Sequence, residues 1–233
     1  MNLALNIGNT HTQIAFCSGN AIQRIKTIAT GDLTSELLTG AEQIAAACVV
    51  PQIRRRLTGV KKIFWLDWQH CADLRFHNVD PTTVGADRIA NALTLRDFCG
   101  APAMVFDFGT AVTAEAVNAD GEFIGGIIAP GRMLMRRALH NYTGQLPIVD
   151  LAGDIPSTGN NTVAAMRLGI DGGAVGLVKE LICRLRENAE FSGNEKNIFA
   201  VGGDRDFFMR QLPELRDGGE DFTLRGVIYA AEW

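Results

Sequence analysis

This 233-residue sequence predicts an α/β fold of two related lobes, each built on a mixed sheet. Three observations carry that expectation. The stretch Ala103–Thr113, AMVFDFGTAVT, reads as a buried strand, a phosphate-sized turn and a second strand, with Asp120-Gly121 as the hairpin signal that leads into a third. A second copy lies at the N-terminus, where Leu3–Thr12 can be laid over Val105–Thr113 with Asn6 on Asp107, Gly8 on Gly109 and Asn9 on Thr110. Ser18-Gly19-Asn20 stands there for the hairpin turn, at an offset of about one hundred residues, so two lobes are expected rather than a solenoid. Between the copies, short apolar strands alternate with helical spacing, which is the pattern of an α/β lobe.

Taken in order, the first hairpin is followed by Asp32, a candidate helix cap, and by Leu33–Ala47, whose Leu37, Leu38, Ile44 and Ala45 suggest an apolar helical stripe. Ala47–Val50 and Ile63–Leu66 read as strands, with a helix between them started by Pro51. Asn78–Arg88 opens a helix that runs to about Phe98 and sets Asp87 in its first turn, where the helix dipole favours an anion. In the second copy, Ala103–Phe106 delivers Asp107 into a turn, and Gly109 is expected to supply a backbone conformation that other residues resist. The glycines around Ile127 and Ile128 suggest close backbone approach, and Pro130 is expected to start a helix holding Met133, Leu134, Arg137 and Ala138.

Residues Gly144–Asn161 read as an ordered loop, and Thr162 to about Asn188 as a helix. Gly169, Gly172, Gly173 and Gly176 would let another helix pack closely there, within the chain or across a dimer seam. Asn197–Gly203 is a strand ending in two glycines, equally suited to a nucleotide and to a plain tight turn. Leu224–Ala231 suggests a last strand and short helix.

Composition narrows the function. A net charge of −4 gives no basic field, so nucleic acid is not an expected partner; Arg54-Arg55-Arg56 with Lys61-Lys62 reads as a solvated helix end. Five dispersed cysteines and four histidines show no metal-ligand spacing, which fits reduced thiols and argues against structural zinc. No signal peptide is apparent and no apolar run reaches membrane-spanning length, so a cytoplasmic protein without membrane contact is expected.

The two glycine turns suit a polyphosphate held from opposite sides, with backbone N–H groups on phosphate oxygens and an acidic residue holding a cation. Phosphoryl transfer needs alignment, cation charge and an acceptor for the attacking hydroxyl's proton. Asp87 suits that last role, with Arg88 beside it to fix an anionic part of the acceptor by a forked contact.

The motifs NIGNT, GADR, DFGTAVT, GGIIAPG and GNNTVAAMRLGI, in this order over nearly the whole chain, resemble those of the type III pantothenate kinases. These belong to the superfamily of acetate and sugar kinases, heat-shock protein 70 and actin. The resemblance implies two ribonuclease-H-like (actin-like ATPase) lobes, residues 1–101 and 102–233, with a cleft between them, and a homodimer. It implies ATP-dependent phosphorylation of pantothenate to 4′-phosphopantothenate, the first step of coenzyme A synthesis. Carried over by position, it places ATP on Asn6, Ile7, Gly8, Asn9, Thr10, His11, Thr12, Gln13 and Thr110, with Mg2+ accompanying the nucleotide. A potassium or ammonium ion falls on Asp107; pantothenate falls on Asn78, Gly85, Ala86, Asp87 and Arg88, with Thr162 completing its site and Asp87 accepting the proton.

Three positions depart from the resembled pattern: Asn6 and Glu115 stand where Asp is common, and Asn78 where Tyr is. A carboxylate about 4 Å from a cation contributes ~4 kcal/mol per unit charge at an effective dielectric of ~20, so the neutral Asn6 bears on metal–nucleotide binding. Two other readings therefore stay open: a catalytically weakened homologue with a regulatory or nucleotide-binding role, and a kinase for another small hydroxy acid or sugar.

Overall fold

The computed structural model describes residues 1–59, 62–188, 191 and 197–233. Strands β1 (Asn2–Ile7), β2 (His11–Ser18), β3 (Ala21–Ala29), β4 (Ile44–Cys48) and β5 (Ile63–Trp65) form one sheet in the order β3-β2-β1-β4-β5. The second sheet holds β6 (Ala103–Phe108), β7 (Ala111–Val117), β8 (Phe123–Pro130), β9 (Ile198–Val201) and β10 (Arg216–Asp217), ordered β8-β7-β6-β9-β10 from one edge. Each sheet thus has an antiparallel meander of three strands, and its first strand also pairs in parallel with the fourth. The duplication read from the bends extends to the whole sheet.

Strand alternation assigns the layers. In β1, Leu3, Leu5 and Ile7 face an outer core with Leu33, Leu38 and Leu57, while Ala4 faces inward. In β6, Met104, Phe106 and Phe108 face an outer core under α5 (Gly173–Glu187) and α6 (Arg205–Gln211), while Ala103 and Val105 face inward. Between the two inner faces lie α2 (Ala86–Thr94) and α7 (Phe222–Ala231). Small inward residues, Ala4, Ala15, Ala45 and Ala47, make room for these helices. At their crossing a side chain on Gly226 would run into the Ala90 carbonyl, so glycine is what permits the contact. Thr94 Oγ1 donates to the Phe222 carbonyl at 2.8 Å across the same seam.

Several expectations are corrected. Leu33–Ala47 is not a helix: after two short 3-10 turns, Thr30–Asp32 and Ser35–Leu38, the apolar Ile44–Cys48 becomes β4 between β1 and β5. Burial on both faces outweighs the helical spacing, and Leu37 is left exposed. Leu224–Ala231 contains no strand; it lies within α7, which the two sheets bury from both sides. Asp107 sits in β6 itself rather than in the turn, and Gly109 does not adopt a left-handed backbone. Pro130 ends β8, and α3 (Arg132–Asn141) begins after Gly131.

The helix expected from Thr162 is α4 (Thr162–Arg167), a π-helical turn Leu168–Gly172 and then α5. Nothing packs within 4 Å of the missing side-chain positions of Gly169, Gly173 and Gly176, so the close helix contact is not made within the described residues. The helix expected up to Phe98 is α2 continued by a π-helical turn over Leu95–Cys99. Pro51 does start a helix, α1 (Pro51–Arg56), which ends in the three arginines; Lys61 of the basic cluster lies outside the described residues.

Candidate active site in the cleft between the lobes

The cleft between the sheets holds a cavity of about 510 Å³. The β1–β2 bend contributes Asn6, Gly8, Asn9, Thr10, His11 and Gln13 to its lining. From the β6–β7 bend come Asp107, Gly109, Thr110, Ala111 and Thr113, and from the β9–α6 bend Val201, Gly202, Gly203 and Arg205. The approach to α7 supplies Gly219 and Glu220 and its first turn Phe222 and Thr223, while Asp87 reaches in from the first turn of α2.

Parity explains the first two sets. Asn6 lies two residues beyond the inward-facing Ala4, and Asp107 two beyond the inward-facing Val105, so both side chains face the cleft. Their cross-strand partners, Gln13 and Thr113, face it too. The bends differ by one residue. Gly8 N–H donates to His11 O at 3.1 Å, whereas Gly109 N–H donates to Ala111 O at 3.0 Å. The offset between copies therefore falls from 101 before the bend, Asn6 to Asp107, to 100 after it, Gln13 to Thr113. Thr10, not Asn9, is the mate of Thr110, and their hydroxyls lie 2.9 Å apart. A second bridge joins Gln13 Nε2 to the Glu220 carbonyl at 3.1 Å.

Glycines act here by leaving space. A Cβ on Gly202, whose φ is +88°, would lie 2.5 Å from Asp107 Oδ1, and one on Gly131 would run into the Gly109 carbonyl. Burial, and secondarily the charge of Asp87, pushes the Asp107 carboxyl up to about 6. No hydrogen bond within the described residues reaches that carboxylate, so it is a half-buried acceptor that faces the cavity without a protein partner, suited to a cation. Among the described residues no cluster of three or more His, Cys, Asp or Glu forms a metal cage. The residues therefore fit a cation of the kind bound through one or two carboxylates and substrate phosphates.

Burial also raises the Asp87 pKa, against the Arg88 N–H that donates to its Oδ1 at 2.8 Å. Gly85 leaves room for this arrangement, since a Cβ there would stand 2.7 Å from Asp87 Oδ1. Arg88 turns the other way: its Nε donates to Glu115 Oε1 at 2.7 Å and its Nη2 to the Ala114 carbonyl at 3.2 Å. Two donors of the expected fork are thus taken by the protein. Glu115 is fully buried, and despite Arg88 and Asn91 its carboxyl is pushed up to about 7 by that burial. Asn91 Nδ2 donates to Glu115 Oε2 at 3.0 Å and Thr223 Oγ1 donates to Asn91 Oδ1 at 2.8 Å, which carries the chain of polar contacts back to the cleft.

Of the residues singled out in the sequence, Asn6, Gly8, Asn9, Thr10, His11 and Gln13 meet Asp87, Asp107 and Thr110 in this one cavity. Ile7 faces the outer core instead. Thr12 is buried behind the bend, 3.0 Å from Thr30 Oγ1, which donates to the Gly8 carbonyl at 2.7 Å. Gly85, Ala86 and Arg88 adjoin Asp87 without lining the cavity, Asn78 is exposed with φ +55°, and Thr162 is exposed at the start of α4. Sequence reasoning missed Arg205, Gly219, Glu220 and Thr223. The first follows the Gly202-Gly203 pair closely, and a second pair, Gly218-Gly219, was a signal for the rest.

The chain matches the family model described as type III pantothenate kinase over residues 2–184. A type III pantothenate kinase from Rubrobacter xylanophilus is 31% identical over 262 residues, covering 99% of this chain and 97% of its own length. Among solved structures, a Baf family protein from Campylobacter jejuni aligns with a TM-score of 0.71 at 19% identity, covering 99% of this chain and 97% of that one. The activator of the 2-hydroxyisocaproyl-CoA dehydratase from Clostridium difficile, with bound ADPNP, aligns with a TM-score of 0.58 at 15% identity, covering 98% and 93%. At such identities the structural likeness bears on the fold alone. The fold is that of the actin-like ATPases and sugar kinases.

Proposed function

Because the chain belongs to the type III pantothenate kinase family, we propose that it transfers the terminal phosphoryl group of ATP to the 4′-hydroxyl of pantothenate, giving 4′-phosphopantothenate for coenzyme A synthesis. The observation that carries this reading is the meeting of three glycine bends and two carboxylates in one cleft.

In this reading, backbone N–H groups of the bends at Gly8, Gly109 and Gly202 hold phosphate oxygens, with Thr10 and Thr110 beside them. Asp107 holds the cation, Mg2+ with the nucleotide or the monovalent ion, which supplies charge against that developing on the transferred group. Asp87 takes the proton of the attacking hydroxyl as the new O–P bond forms and the bond to ADP breaks. Burial raises its pKa above the ordinary carboxylate value, which makes it a stronger proton acceptor than an exposed aspartate. Arg88 acts on the acceptor through the donor that Glu115 and Ala114 leave over.

ADP release measured with and without pantothenate, in Mg2+ and potassium, tests the reading. Asp87→Asn is expected to lower kcat by about 10²–10⁴. Full activity in that variant would remove Asp87 from its role, and ADP release indifferent to pantothenate would remove the acceptor.

One observation favours a second reading. The inward-facing mate of Asp107 is the neutral Asn6, so a weakened homologue that binds nucleotide for regulation would have this cleft as well. High activity in the unaltered chain eliminates it.

We extend the proposal to the division of the chain, its assembly and its location. Division at residue 101 gives each half one sheet, although α7 and residues 75–79 dock on the opposite half. A homodimer would cover the bare glycines of the Gly169–Gly176 stretch and exposed Leu134, Val163 and Leu177. We further propose a cytoplasmic location and, on the net charge of −4, no nucleic-acid partner; among the described residues no helix is long and apolar enough to cross a membrane.

A further inference from the structure

Beneath the C-terminal bends lies a buried ionic cluster that the phosphoryl-transfer chemistry does not use. Arg132, the first residue of α3, is 4% exposed. Its Nε donates to Asp171 Oδ1 at 2.9 Å, its Nη2 to the Leu151 carbonyl at 3.1 Å, and its Nη1 lies 3.4 Å from Asp204 Oδ1. The guanidinium carbon stands 3.5 Å over the Phe207 ring. Asp171 is fully buried and its Oδ2 has no partner.

Such a cluster is not explained by stability. Replacing a buried ion pair by apolar residues of similar volume is often neutral or stabilising, so position is the better reason to keep one. Two bends of the cavity meet at this arginine. Gly131, directly before it, donates its N–H to the Thr110 carbonyl at 3.1 Å and packs on the Gly109–Thr110 bend. Asp204, directly after Gly202-Gly203, donates its N–H to the Phe108 carbonyl at 3.0 Å. It stands at the cap position of α6, yet its carboxylate makes no capping hydrogen bond and turns to Arg132 instead.

We propose that Arg132, held by Asp171, is a positioning residue that fixes the Gly109–Thr110 and Gly202–Arg205 bends relative to one another, and so sets the C-terminal half of the phosphate site. This rests on the reading of the cleft as a nucleotide phosphate site. Arg132 touches no substrate in this role; it acts through the two backbones.

The double variant Arg132→Met, Asp171→Leu removes the fully buried pair, and the Asp204 carboxylate that it leaves behind is 30% exposed and stays solvated. Binding of Mg2+–ADPNP by calorimetry, with KM for ATP and for pantothenate, reads the result in protein whose thermal midpoint shows it folded. The dissociation constant and the KM for ATP are expected to rise roughly tenfold to a hundredfold, the scale of a displaced binding geometry, while KM for pantothenate stays within about twofold. Unchanged ADPNP affinity in the folded double variant overturns the proposal. Should that variant not fold, Asp204→Ala decides: its carboxylate caps nothing, and ADPNP affinity that does not fall by at least about threefold overturns the proposal equally. A parent protein that binds ADPNP but releases no ADP with pantothenate would end the kinase reading and leave the loss of affinity as support here. A parent that binds no ADPNP overturns both.

Discussion

Thr10 Oγ1 and Thr110 Oγ1 lie 2.9 Å apart, one hydroxyl from each copy of the glycine bend, and join the two lobes across the cleft. A hydrogen bond between exposed neutral hydroxyls contributes about 1 kcal/mol or less, so Thr110→Val should leave stability nearly unchanged. Loss of a hydroxyl beside the phosphate site should weaken Mg2+–ADPNP binding several-fold, about 1 kcal/mol. Denaturant titration and calorimetry on the same preparation separate the two effects.

Asn6 and Asp107 face the cavity from equivalent positions, and only one of them carries charge. Converting the other, Asn6→Asp, should tighten the Mg2+ dependence of ADP release by about tenfold, roughly 1.4 kcal/mol, since a second carboxylate would act at short range in a partly enclosed site. An Mg2+ titration of initial rates checks it; a dependence that does not change would show that the side chain at residue 6 lies out of the cation's reach.

Glu115 ties stability to pH. Burial holds its carboxyl near 7 in the folded protein against an ordinary value of 4.5, so the native state keeps a proton that the unfolded chain has lost between those values. Stability from this group is present below about 4.5 and is lost as pH rises towards 7, on the order of 3 kcal/mol in all. Glu115→Gln is neutral throughout and can still accept from Arg88 Nε. The difference in unfolding free energy between parent and variant should therefore shift in the variant's favour across pH 4.5 to 7. Urea titrations at several pH values give that difference directly, and a constant one would show that burial does not hold the proton on Glu115.

The seam between α2 and α7 depends on one missing side chain. Gly226→Ala would drive a methyl group into the Ala90 carbonyl. Overpacking of this kind costs about 1–3 kcal/mol, more where backbone rather than a flexible side chain must move. A loss in that range by denaturant titration is expected, whereas the better helix propensity of Ala would give a gain of up to ~1 kcal/mol if the helices could part freely.

Much of the site was written locally. The strand-to-glycine bends, their repetition at half-chain distance, and Asp87 at the opening of a helix follow from period-two burial and turn chemistry, which act over a few residues. The same rules failed at Ile44–Cys48 and Leu224–Ala231, where an apolar run fits strand and helix alike and only its neighbours choose. Ile44–Cys48 became a strand because β1 and β5 flank it; Leu224–Ala231 became a helix because two sheets enclose it.

By itself, then, the sequence determined that two similar lobes would each present a glycine bend and a polar residue to a shared chemistry, and its motifs named the family. Tertiary structure decided which groups meet. It paired Thr10 with Thr110, committed two donors of Arg88 to Glu115 and the Ala114 carbonyl, gave the steric burden to Gly131 and Gly202 rather than Gly109, and set Arg132 beneath two bends. The physical reason is range: alternation and turn preference are properties of neighbours along the chain, while a contact between residues a hundred positions apart depends on how every layer between them packs.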